Sequence, residues 1–101
     1  MNRSDLIQRL SKLFPQLALK DAELSASVIL EAMSDSLARG GRVEIRGFGS
    51  FALNHKPPRL ARNPKNGDKV WVPAKYVPHF RAGKDLRDKV NASKELGAEI
   101  T

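Results

Sequence analysis

Arg62-Asn63-Pro64-Lys65-Asn66-Gly67-Asp68 is a polar turn built around one rigid apolar ring, and its setting decides how the chain is read. From Asn54 to Lys84 stand eight bases, Lys56, Arg59, Arg62, Lys65, Lys69, Lys75, Arg81 and Lys84, against a single acid, Asp68. That tract carries +7, equal to the formal net charge of the whole 101-residue chain, so the remainder is balanced. A basic tract in an otherwise neutral chain is the electrostatic footprint of a polyanion binder. The same tract holds Pro57, Pro58, Pro64, Pro73 and Pro78, a density that a central strand would not tolerate. It is therefore expected as an edge or an isolated two-stranded ribbon, reversing at Asn66-Gly67, with Lys69 to Val72 and Lys75 to Phe80 running back. Such a ribbon has no core of its own and should gain order with its ligand.

Working outward, Leu6, Ile7, Leu10, Leu13 and Phe14 recur at helical spacing, with Asn2 placed to cap the first turn, Asp5 placed to meet the helix dipole and Pro15 as the stop. A second helix is expected from about Leu19 to Arg39, with Leu24, Val28, Ile29, Ala32, Met33 and Leu37 on one stripe, Asp21 and Glu23 in its first turn and Gly40-Gly41 at its end. From Arg42 the period changes to two, which places Val43 and Ile45 on one face of a strand and Arg42, Glu44 and Arg46 on the other. Gly47-Phe48-Gly49 reads as a tight reversal in which both glycines supply positive φ, and Phe51, Leu53 and His55 resume alternation on a second strand. Phe48 and Phe51 are expected in the core. Gly83 to about Ser93 suits a last short helix, and residues 94–101 read as a flexible tail.

Composition narrows the function classes. The chain is one domain at most, residues 1–93, with an arm at about 56–76, and too little remains outside the arm to build a self-sufficient core. It has no cysteine, so neither a disulfide framework nor a thiolate metal site can compensate, and oligomerisation is the expected remedy. The N-terminus runs straight into an amphipathic pattern without an apolar leader, which leads to the expectation of a soluble, cytoplasmic protein with no membrane partner. His55 and His79 stand apart from any carboxylate cluster, and no nucleophile with a base and an orienting group is legible; no metal, no cofactor, no small-molecule substrate and no enzymatic activity are expected.

Among candidate binding residues, Pro64 has a flat apolar ring, a fixed φ and no N–H. It could wedge between base pairs while Arg62 and Lys65 hold flanking phosphates. It could equally be a turn proline, since X-Pro-X-Asn-Gly is common turn chemistry. The flanking charge tilts the reading toward the wedge, with Arg59 and Lys69 further down the ribbon. Arg42 and Arg46 either are neutralised by Glu44 between them or form a basic floor on which DNA rests, with Arg46 reaching into the minor groove. Trp71, alternating with Val70 and Val72, either covers apolar ribbon surface or lies against deoxyribose.

Gly47-Phe48-Gly49-Ser50-Phe51, then Lys56, Arg59 and Arg62-Asn63-Pro64-Lys65-Asn66-Gly67, then Val77-Pro78-His79-Phe80 with Gly83-Lys84, resembles the HU/IHF family of bacterial histone-like DNA-bending proteins over roughly residues 1 to 92. Within that family the stretches from Val43 to Phe51 and from Lys75 to Phe80 look most like the beta-type subunits. The resemblance implies an α+β fold, an intertwined dimer with a helical-hairpin body, a small antiparallel sheet and an extended β-ribbon arm. It further implies that arms wrap the minor groove and that tip prolines intercalate. By it Pro64 matches the intercalating position, Arg46 the minor-groove arginine, and the arm bases with Asn63 the residues tracking the backbone. Ser4 becomes a phosphate contact at the first turn of the first helix. The implied partners are double-stranded DNA and a second chain, an alpha-type subunit or a second copy, and the implied setting is the bacterial nucleoid. Leu60-Ala61, where members more often have a glycine, and Trp71 and Pro73-Ala74 depart from the beta-type pattern. The readings that compete are an HU-like non-specific homodimer, a non-bending polyanion or RNA binder, and a helix-turn-helix reader, the last disfavoured because the bases lie on the ribbon.

Overall fold

The computed structural model describes residues 1–95. The expected tail falls outside that range from residue 96 onward. The elements run α1 (Arg3–Leu13), α2 (Leu19–Ala38), β1 (Val43–Ile45), β2 (Gly49–Lys56), β3 (Arg59–Arg62), β4 (Lys69–Val72), β5 (Lys75–Ala82) and α3 (Lys84–Glu95). The last helix thus continues through Lys94 and Glu95, which the sequence reading had left to the tail.

α1 opens on a reciprocal capping box. The Asp5 backbone N–H donates to Asn2 Oδ1 at 3.0 Å and the Asn2 N–H donates to Asp5 Oδ2 at 3.1 Å, so Asp5 closes the cap as well as meeting the dipole. α2 ends in a Schellman arrangement, with the Gly40 N–H donating to the Leu37 carbonyl at 3.0 Å and the Gly41 N–H to the Ser36 carbonyl at 2.9 Å. Asp21 lies in its first turn and Glu23 does not.

The two helices pack as a hairpin, and the Arg3 guanidinium donates to the Ser27 hydroxyl across it. The residues that this packing buries are small. Ala22 and Ala26, one turn apart on α2, are 0% and 3% exposed and are the buried hydrophobic side chains among the described residues. Leu24, Val28 and Ile29 of the expected stripe remain open, Leu24 at 62%. α2 therefore carries two apolar faces: an alanine face used within the chain and a larger aliphatic face left uncovered.

β1, β2 and β5 form an antiparallel sheet in the order β1-β2-β5, and β3 pairs with β4 in a separate two-stranded ribbon. Pro78 lies in β5, an edge strand, where a missing N–H is tolerated. The β1–β2 reversal is a tight turn in which the Phe48 N–H donates to the Ile45 carbonyl at 3.0 Å and Gly47 takes φ +85°, the position at which a type II turn demands glycine. Gly49, contrary to expectation, does not have positive φ. Its reason is space: a Cβ there would lie 2.6 Å from the Arg81 carbonyl oxygen and 2.6 Å from the Phe80 ring.

Phe48 and Phe51 both stack on Phe80, with centroids 5.3 and 4.7 Å apart. Phe51 is half-buried, but Phe48 is exposed rather than plugged into a core. The aromatic cluster sits at the rim of a body whose apolar interior is open on one side.

Because one of the neighbours beside Gly49 is the backbone carbonyl of the paired strand, Gly49→Ala is expected to destabilise the chain by about 2–3 kcal/mol through forced displacement of backbone and ring. Urea unfolding of the two proteins at equal concentration measures this.

Candidate nucleic-acid interface

The ribbon is held at its tip by local hydrogen bonds. Asn63 Oδ1 accepts from the Lys65 N–H at 2.9 Å and Asn66 Oδ1 from the Asp68 N–H at 3.0 Å. The Asn63 N–H donates to the Asp68 carbonyl and the Gly67 N–H to the Asn63 carbonyl, both at 2.7 Å, with Gly67 at φ +75°. Two Asx turns thus fix the reversal without any core beneath it. Asn63 is half-buried, and Pro64 and Lys65 stand exposed at the apex. Asn66 was not among the candidate residues; the repeated Asn-x-Lys and Asn-x-Asp spacing, two residues each, was the signal for it.

Below the tip, the register pairs Arg62 with Lys69, Ala61 with Val70, Leu60 with Trp71 and Arg59 with Val72. Directly paired residues share a face, so Arg62, Lys69, Leu60 and Trp71 lie on one face and Arg59 on the other. Lys69 is therefore level with Arg62 rather than further down the arm. Bases on both faces and at the tip allow the arm to meet phosphates on either side of a groove.

The body adds a basic sheet face. Arg81 pairs with Ser50, and Ser50 with Glu44; towards the arm, Lys56 pairs with Lys75 on the same face. Arg42 and Glu44 form an ion pair at 3.0 Å, so Glu44 neutralises Arg42, and among the described residues Arg46 has no ion-pair partner. Arg46 lies beyond the end of β1, in the turn, rather than on the strand as expected. It lines a shallow concavity with Glu44, Ser50, Arg81 and Gly83. Lys84 pairs with Asp88 at 3.1 Å across one turn of α3, and both exposed pairs are easily exchanged for contacts to a polyanion.

Ser4 is otherwise engaged. Its hydroxyl donates to Asn2 Oδ1 at 2.8 Å within the α1 cap, leaving its oxygen only as an acceptor and the exposed first-turn amides as the donors on offer. His55 stacks on Tyr76 at 4.9 Å, whereas His79 pairs with Ala52 on the opposite sheet face, so the two histidines are not brought together. No helix among the described residues is long and apolar enough to cross a membrane.

A helical body bearing a basic sheet face and a proline-tipped basic ribbon defines a β-arm nucleic-acid-binding architecture. The family described as bacterial DNA-binding protein matches residues 1–91, and the chain belongs to it. Integration host factor subunit beta from Azoarcus sp. (strain BH72) is 64% identical over 91 residues, covering 90% of this chain and 97% of that protein. The subunit of the same name from Dechloromonas aromatica (strain RCB) is 62% identical over 91 residues, with coverage of 90% and 97%. Among solved structures, an Anabaena HU–DNA cocrystal superposes with a TM-score of 0.81 at 34% identity, covering 89% of this chain and 97% of that one. HU from Thermotoga maritima superposes with a TM-score of 0.60, also at 34% identity, covering 89% and 98%.

Asn63→Ala removes one of the two Asx acceptors from a tip that has no core beneath it. Amide exchange at Lys65 is expected to rise about fivefold, corresponding to roughly 1 kcal/mol for one hydrogen bond, with the global unfolding midpoint unchanged. Residue-resolved hydrogen exchange reads both.

Proposed function

We propose that the chain is an architectural double-stranded DNA-binding protein that bends its target. The observation that carries this reading is the exposed Pro64 ring at a tip locked by two Asx turns, with Arg62, Lys65 and Lys69 around it. Pro64 enters between base pairs from the minor groove and unstacks one step, and the neighbouring cations hold the flanking phosphates. Unstacking costs about a few kcal/mol per step and is offset by the protein surface that bent DNA can wrap. Arg46 projects from the β1–β2 turn into the minor groove. Arg42, Lys56, Arg59, Lys75, Arg81 and Lys84 neutralise phosphates along the sheet face and arm, and the first turn of α1 at Ser4 offers backbone amides to another.

The similarity to subunits named integration host factor beta and to an HU cocrystallised with DNA supports the same reading. The active form is a dimer, because the aliphatic face of α2 requires a second chain to cover it, with an alpha-type subunit as the partner and self-pairing as the HU-like alternative. The role is structural rather than enzymatic, serving nucleoid organisation, recombination and transcription in the bacterial cytoplasm. Sequence preference arises mostly from DNA deformability, since the minor groove separates A·T from G·C and little more.

End-to-end FRET on a doubly labelled duplex of about 35 base pairs, short against a persistence length of about 150, tests the bending. A large rise is expected with the wild type, and Pro64→Ala is expected to lose most of that rise while keeping most of the affinity. Equal bending by both proteins would overturn the wedge, and binding by anisotropy without a FRET rise, with or without an alpha-type partner, would overturn bending itself. Affinity is also expected to fall steeply with salt, with a log–log slope of about 0.9 per neutralised phosphate; a slope near zero in a filter-binding series would contradict a wrapped complex.

A further inference from the structure

The register of the ribbon places an apolar pair where the charge pattern alone would not put one. Leu60 and Trp71 are direct cross-strand partners and are 56% and 64% exposed. Aromatic pairs among the described residues are Phe48–Phe80, Phe51–Phe80 and His55–Tyr76, and Trp71 takes part in none. Leu60 and Trp71 both keep more than half of their surface open to a ligand. One register step towards the tip, on the same face, stand Arg62 and Lys69.

The pairing of β2 with β5 ends at Lys56–Lys75 and that of β3 with β4 begins at Arg59–Val72. Two residues are skipped on each strand, so a single register runs through the break. By alternation, Leu60–Trp71 and Arg62–Lys69 on the arm fall in step with Ser50–Arg81 and Lys56–Lys75 on the body. We infer that Leu60 and Trp71 form an apolar contact pad that lies against deoxyribose in the minor groove of double-stranded DNA, between the phosphates held by the basic pairs on either side. This rests on the DNA-binding reading above and adds to it a contact that is not electrostatic.

Charge complementarity selects DNA as the occupant. An apolar protein surface seated on this pad would strip water from Arg62 and Lys69 without supplying anions. A minor-groove wall alternates apolar sugar with phosphate, and successive side-chain pairs on one face of the ribbon, about 6.7 Å apart, alternate apolar with basic in the same way. Sugar contacts carry no base information, so the pad raises affinity without sharpening sequence preference. Apolar burial also releases no counterions, which separates its signature from that of the bases.

The test titrates a labelled duplex of about 35 base pairs with the wild type, Trp71→Phe and Trp71→Thr, each as the DNA-binding dimer, across a salt series. Threonine keeps strand propensity while removing the ring, and circular dichroism confirms that each variant retains its fold. Trp71→Thr is expected to weaken binding about tenfold at every salt concentration with the log–log slope unchanged, whereas Arg62→Ala lowers the slope by about one. Trp71→Phe is expected to keep most of the affinity. Trp71 is the chain's one tryptophan, so its emission is expected to shift to the blue as DNA displaces water from the ring. Wild-type affinity in Trp71→Thr, a changed slope in place of a changed intercept, or an emission spectrum that stays constant while anisotropy reports binding would each overturn the pad and leave the DNA-binding reading intact. No anisotropy change with the wild type would overturn that reading itself.

Discussion

The uncovered aliphatic face of α2 is the constraint on which the rest depends. A domain of this length ordinarily buries well over half of the surface its unfolded chain exposes, yet among the described residues the buried hydrophobic ones are two alanines. The alanines let the helices of the hairpin approach closely, and that leaves Leu24, Val28 and Ile29 pointing elsewhere. Nearby, the aromatic cluster of Phe48, Phe51 and Phe80 is assembled but open. A body built this way draws its stability from association, and its folding equilibrium should therefore depend on protein concentration. The sheet that presents Arg81 and the root of the arm is only as firm as that shared core.

Much of this was legible because the residues concerned act locally. Asn2 and Asp5 at capping-box spacing, Gly40-Gly41 after a helical run, and Asn66-Gly67 between alternating segments each specify backbone geometry within a few residues, and each is found where the sequence put it. The reading failed where the answer depended on what lies across space. Gly49 was taken for a turn glycine because its contact with the Arg81 carbonyl and the Phe80 ring links residues some thirty positions apart. The aliphatic stripe of α2 was legible from its period, but the alanine face that packs within the hairpin was not, because close helix approach selects residues too small to stand out in a periodic pattern. Arg46 was extrapolated along a strand that ends one residue earlier. Of the site, the charged residues were evident from composition, but the assignment of Arg59 to one face and of Arg62 with Lys69 to the other needed the register.

The arm solves a different problem from the body, since no hydrophobic layer supports it. Its tip relies on Asx turns, and its root is interrupted by Pro57 and Pro58 on one strand and Pro73 on the other. Because the two gaps are of equal length, the ladder resumes in the same register. Prolines here remove ladder donors without shifting alignment.

Electrostatics then couples order to the ligand. Lys56 faces Lys75 and Arg62 faces Lys69 directly across the strands, and like charges in that position oppose pairing. A ribbon without a core has little to offset this repulsion, so in free solution its cations are held together chiefly by the turn at one end and the sheet at the other. A polyanion laid along the arm would offset that repulsion at each facing pair, so that pairing and binding would reinforce one another. The facing charges that weaken the free hairpin are thus the ones through which a polyanion would strengthen it, which couples the order of the arm to its ligand.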